Sequence, residues 1–151
     1  MTGMDTVEWL SRHEQSVWRS LLRAQSRIES ELDRDLHKGS GLSLVEYGIL
    51  VSLSEAEGER MRMRHLADSV IVSKSRLTHQ ITRLERMGHV RREPCTDDRR
   101  GYWAVLTAEG RAALDAAAPG HVAKVRERVF DRLTPEQVTV LGEIMAALEE
   151  P

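Results

Sequence analysis

Between Ser73 and Met87 the sequence SKSRLTHQITRLERM divides its side chains between two faces. Leu77, Ile81 and Leu84, with Gly88 beyond, cluster on one side of a helix capped by Ser73, while Ser75, Arg76, His79, Thr82, Arg83 and Arg86 fall toward the other. Serine, arginine and histidine near the N-terminal end of such a helix can reach base edges in a major groove roughly 12 Å wide, where the free helix amides favour phosphate. The period then changes. HVRREPC and GYWAVL read as short strands around the charged turn TDDRRG, with Pro94 confined to an exposed edge. Arginines at the tip of such a hairpin can enter the adjacent minor groove, whose negative potential is strongest where it is narrow. A helix preceding Ser73 across a short turn completes a helix-turn-helix followed by a wing.

Other chemistries lack their residues. There is no glycine loop for nucleotide phosphates, no nucleophile elbow and no Cys, His and Asp set that reads as a catalytic unit, so an enzyme is not expected. Cys95 is the single cysteine and can form no internal disulfide, and the six histidines are too dispersed for zinc-ligand spacing, so neither a metal nor a cofactor is implied. The net charge of -2 hides an asymmetry. Residues 60–101 hold 11 Lys and Arg against 5 Asp and Glu, while the rest of the chain holds 11 against 19. A basic block in an acidic frame suits a polyanionic partner. No apolar run approaches the roughly 20 residues of a membrane span, and the N-terminus lacks the pattern of a signal peptide, so a cytoplasmic protein is expected.

Several elements must hold this block in place. From about Thr6 to Lys38 the residues Val7, Leu10, Val17, Leu21, Ile28, Leu32 and Leu36 recur at helical steps, predicting one long amphipathic helix ended by Gly39-Ser40-Gly41. A stripe about 30 residues long exceeds what one small core can cover. An intersubunit role is therefore at least as good a reading as packing within the chain. Ser43-x-x-Glu46 is a capping box that opens a second helix at Leu44, fading by Gly58, and Met61 to Ser69 reads as a short third helix. Thr107 caps a fifth helix containing Leu114 and Val122, which Pro119-Gly120 is expected to kink or interrupt. Thr134-Pro135-Glu136-Gln137 opens a last helix through Val138, Leu141, Ile144 and Leu148. The length of 151 residues suits one mainly helical domain, with no internal repeat.

The stretch LADSVIVSKSRLTHQITRLERMGHVRREPCTDDRRGYWAVLTAEGR resembles the core of the MarR (multiple-antibiotic-resistance regulator) family in order, spacing and residue type. The family's wing pattern, Asp-x-Arg followed by alternating apolar residues and Leu-Thr, is met by Asp98, Arg100, Ala104, Leu106 and Thr107, with Ala104 in place of the usual valine. The resemblance implies a winged helix over 44–106, with helices at 6–38 and 122–149 interleaving with those of a second copy. It implies a ligand-responsive transcriptional regulator, usually a repressor, on a palindromic operator. On it, Ser73, Lys74, Ser75, Arg76, His79, Gln80 and Arg83 form the DNA-binding face of the recognition helix. Lys74 and Arg83 would meet phosphates, and Ser75, Arg76 and His79 would meet bases. Arg100 would be the minor-groove residue at the wing tip, with Arg99 beside it and Asp98 orienting it. Many members form a small-molecule pocket between the dimer and DNA-binding regions, which Trp9, Trp18 and Tyr47 could line, although aromatics at helical spacing are more often core. A winged helix used for protein interaction or sequence-indifferent DNA binding remains the alternative.

Overall fold

In a computed structural model that describes residues 7–97 and 100–151, six helices and a three-stranded sheet follow in the order α1 (Arg12–Ser40), α2 (Leu44–Glu55), β1 (Arg60–Arg62), α3 (Met63–Ser69), α4 (Lys74–Arg86), β2 (Val90–Pro94), β3 (Tyr102–Leu106), α5 (Ala108–Arg128) and α6 (Pro135–Glu149). The mainly helical winged helix expected from the sequence is present. Among the described residues no helix is long and apolar enough to cross a membrane.

The helix boundaries follow their caps. α1 starts at Arg12 rather than near Thr6, because Ser11 and Glu14 form a capping box: the Ser11 hydroxyl accepts from the Glu14 amide at 3.1 Å, and Glu14 Oε2 accepts from the Ser11 amide at 2.7 Å. It also runs through Gly39 and Ser40 to a left-handed cap at Gly41. The boxes at Ser43/Glu46 and Thr134/Gln137 open α2 and α6 where the sequence puts them. The expected break in α5 is absent. Pro119 forfeits one backbone hydrogen bond, yet the helix runs unbroken from Ala108 to Arg128. Contacts on both sides of the proline oppose its cost of roughly 3 kcal/mol. Leu114 and Ala117 enter the core on one side. On the other, Arg128 donates to Asp35 Oδ2 at 2.7 and 2.9 Å and to Glu31 Oε2 at 2.5 Å on α1.

Leu42, Ile49, Leu50, Leu53, Leu66, Leu77, Ile81 and Leu84 are almost wholly buried and knit α2, α3 and α4 into one core, which Val90, Ala104, Leu106 and Leu114 extend to the sheet and α5. The third strand was hidden in the sequence. β1 pairs antiparallel with β3, Arg60 opposite Val105 and Arg62 opposite Trp103, which gives the order β1-β3-β2. Its three residues replace the start expected for α3 at Met61. Pro94 lies at the end of β2, an edge strand, as a residue without an amide donor must. Two glycines fix the wing's root. Gly88 turns the chain out of α4 at φ 78°. A Cβ on Gly110, in the first turn of α5, would sit 2.0 Å from the His89 carbonyl oxygen.

Candidate nucleic-acid interface

The core contacts of Leu77, Ile81 and Leu84 leave Ser73, Lys74, Ser75, Arg76 and His79 exposed on α4, with Gln80 and Arg83 half-buried at the margin. The Ser73 hydroxyl caps the helix by accepting from the Arg76 amide at 3.2 Å and lies 3.3 Å from the Ser75 hydroxyl. Charge at the helix starts is selective. Glu14, Glu46, Glu109 and Glu136 occupy the first turns of α1, α2, α5 and α6, the favourable place for an acid. The two helices of the helix-turn-helix, α3 and α4, have no acid in their first turns, and α4 begins with Lys74. At α4, where Ser73 to Arg76 are exposed, that arrangement forgoes local stabilisation and leaves the positive end of the helix open to an external anion.

Between this helix start and the wing lies a cleft of about 520 Å³, whose lining includes Arg62, Arg64, Lys74, Arg92, Arg100 and Tyr102. Arg92 braces it: its Nη2 donates to the Thr82 hydroxyl at 2.9 Å and to the Thr78 carbonyl at 3.2 Å, and its Nε lies 3.1 Å from Glu85 Oε1. The wing is thereby tied to α4. Arg100, just before β3, is part of the cleft lining, whereas Asp98 and Arg99 lie outside the described residues. Arg83 is engaged elsewhere. Its Nη1 is 3.0 Å from Glu46 Oε1, and its Nη2 donates to the Gly41 carbonyl at 3.3 Å. Glu46 Oε1 is buried without an aligned hydrogen bond, so the pairing is one of charge. Arg83 therefore joins α4 to α2, with its side chain still 43% exposed beside the face expected to meet phosphate.

Residues 42–102, which contain the capped α2, the helix-turn-helix and most of the wing, match the MarR family profile. The fold is similar to that of a MarR family transcriptional regulator from Streptomyces coelicolor in complex with DNA, at 48% identity over 96% of this chain and 93% of that one, with a TM-score of 0.90. It is also similar to AbsC, a MarR family transcriptional regulator from the same organism, at 45% identity over 94% and 95% of the two chains and a TM-score of 0.85. The HTH-type transcriptional repressor YetL of Bacillus subtilis is 33% identical over 73% of this chain and 68% of its own length. The chain belongs to the MarR family. It is a DNA-binding transcriptional regulator, not an enzyme.

In this MarR protein the expected pair Trp18 and Tyr47 do not meet within one chain. Trp18 is 52% exposed on α1, 18 residues and roughly 27 Å along the helix from Leu36. Tyr47 is buried in α2, its ring 4.4 Å from that of His121 on α5, and burial pushes its phenol pKa up. Trp9, also named for this pocket, is exposed before α1. A cavity of about 360 Å³ does lie between α1 and α5, with Leu36, Lys38, Ala117, His121 and Lys124 in its lining. His121 Nδ1 is buried there without a hydrogen-bond partner among the described residues, and burial lowers the imidazole pKa. Cys95 is buried at the tip end of the wing strands, its amide donating to the Gly101 carbonyl at 3.0 Å.

The sequence reading missed Arg62, Arg64, Arg92 and Tyr102 as parts of the cleft. A signal for the first two existed in Arg60-Met61-Arg62-Met63-Arg64, whose alternation has the period of a strand. For Arg92 and Tyr102 the sequence signals only a place in the hairpin strands.

Proposed function

We propose that this MarR regulator is a ligand-responsive repressor that acts in the cytoplasm and binds a palindromic operator as a homodimer. The observation that carries the reading is the acid-free start of α4 beside a basic cleft. Ser75, Arg76 and His79 project where base edges would lie, and Lys74 meets phosphate at the cleft. The wing residues Asp98, Arg99 and Arg100 serve the minor groove. Dimerisation is supported by Val17, Trp18, Leu21 and Leu22 on α1, and by Val140, Ile144 and Leu148 on α6, all of them apolar and not buried within the chain. The segments 6–38 and 122–149 form that interface. A small effector enters the cavity at His121, between the helix that reaches the dimer region and the helix that follows the wing.

Footprinting on DNA flanking the protein's own gene, with competitor DNA present, tests the operator. A protected inverted repeat with half-sites about 10 base pairs apart, centre to centre, is expected. Equal affinity for random duplexes would replace the repressor by sequence-indifferent binding. A monodisperse monomer in light scattering at micromolar concentration would remove the dimer.

A further inference from the structure

One face of the wing sheet carries Arg60 and Arg62 on β1, Trp103 on β3, and Arg91 and Glu93 on β2, since alternate residues share a face and the register sets Trp103 between Arg62 and Glu93. The guanidinium carbons of Arg60 and Arg62 lie 4.4 and 5.0 Å from the Trp103 ring centroid. Both are inside the roughly 6 Å over which a cation is attracted to an indole face. The carboxylate of this group, Glu93, is already engaged: Oε1 pairs with Arg91 at 2.9 and 3.0 Å, and Oε2 lies 4.0 Å from Arg60 Nη1. Among the described residues no carboxylate pairs with Arg62, and Arg62 also lines the cleft that holds Lys74.

The difference between a carboxylate and an indole as partner decides what an arginine can still do. A carboxylate neutralises the guanidinium and fills its donor fork. An indole touches the face of the group, so the charge persists and the N–H donors, which lie in the plane, stay available. Arg92, on the opposite face of the same sheet, is spent on Glu85, Thr78 and Thr82. Arg62 is held and unspent. We propose that Arg62 is a phosphate contact of the DNA complex and that Trp103 is the positioning residue that fixes its guanidinium at the edge of the wing sheet, beside the cleft. This rests on the DNA-binding reading above and adds two residues that the recognition helix and wing tip do not include.

Phosphate contacts are indifferent to sequence, so a labelled duplex of about 30 base pairs and arbitrary sequence, titrated by anisotropy at several salt concentrations, suffices as probe. Arg62→Ala should flatten the slope of log affinity against log salt by about one per bound subunit. Trp103→Leu should flatten it equally, the double variant should lose no more than either alone, and Trp103→Phe, which keeps an aromatic face, should stay near the wild type. A wild-type slope for Arg62→Ala overturns the proposal, as do additive losses in the double variant. Should Trp103→Leu fail to fold by circular dichroism, Trp103→Phe decides: a loss as large as that of Arg62→Ala shows that the ring face is not what holds the arginine. Absence of binding by the wild type would overturn the DNA reading itself, and this inference with it.

Discussion

Arg83→Ala separates a structural arginine from a DNA contact. In the folded chain Glu46 is 0% exposed, its Oε2 accepting from the Ser43 amide at 2.9 Å and its Oε1 lying 3.0 Å from Arg83 Nη1. Removing one member of a fully buried pair costs about 3–5 kcal/mol, because an uncompensated charge stays behind. The Arg83 side chain, however, is 43% exposed, so water already screens part of the attraction and would hydrate the carboxylate once the arginine is gone. The hydrogen bond to Gly41 adds about 1 kcal/mol at most. A net loss of about 2 kcal/mol follows, which at a urea m-value of about 2 kcal/mol/M moves the unfolding midpoint down by about 1 M. Glu46→Gln in the same chain should restore much of the loss, since a neutral amide needs no cation. The salt dependence of DNA binding should stay that of the wild type. An unchanged midpoint together with a flatter salt slope would refute the argument and return Arg83 to the phosphates.

Arg76→Ala should lose about 1–3 kcal/mol on the preferred operator and almost nothing on random DNA, by parallel titrations; equal losses would make Arg76 a phosphate contact. His121 is kept neutral by burial against Tyr47 from α2, with Lys38 and Asp35 from α1 and Lys124 from its own helix around the cavity. The unfolded chain takes up a proton near the ordinary pKa of about 6.5 and the folded chain only below it, so stability should fall as the pH drops through about 6.5 and level off beneath the folded value. Thermal melts of His121→Phe should lack that fall. Ile71 sits at φ 55° and is 90% exposed in the turn before α4. A left-handed β-branched residue costs about 1–2 kcal/mol, and glycine returns about 0.5–1 in chain entropy, so Ile71→Gly should stabilise by several tenths to about 1 kcal/mol in urea denaturation.

Where a single side chain settles the local conformation, the sequence could be read directly. The boxes at Ser43/Glu46 and Thr134/Gln137 and the caps at Ser73 and Thr107 each hold through a bond between neighbours three residues apart. The same logic was available at Ser11/Glu14, but the apolar stripe running through Val7 and Leu10 masked it. Long-range competition hid the rest. Whether Pro119 breaks α5 depends on what both halves grip, and the grip of Arg128 on Glu31 and Asp35 spans more than 90 residues of chain. β1 is too short to show a period of its own and is a strand because β3 pairs with it. The candidate site divides the same way. Exposure of Lys74, Ser75, Arg76 and His79 follows from helical spacing, whereas the fates of Arg83 and Arg92 depend on acids that tertiary packing brings within 3.0 and 3.1 Å.

That division sets a limit on the charge the protein can offer to DNA. The block 60–101 contains 11 basic residues, but Arg60 and Arg91 share Glu93, Arg83 holds Glu46 and Arg92 holds Glu85. Displacing such partners to reach phosphate would cost the folded frame what the DNA gains, so these four should release few counterions on binding. Arg62, Arg64, Lys74, Arg76 and Arg86 have no carboxylate partner among the described residues. Five per subunit, in the proposed dimer engaging both half-sites, give a log–log salt slope of about -9, and counting Arg99 and Arg100 of the TDDRRG turn in full sets a ceiling of about -13, against about -20 if all the basic residues of the block took part. Isothermal titrations between low and physiological salt would measure it. A slope near -20 would mean that the internal ion pairs open on DNA, and that the arginines assigned to the frame belong to the interface.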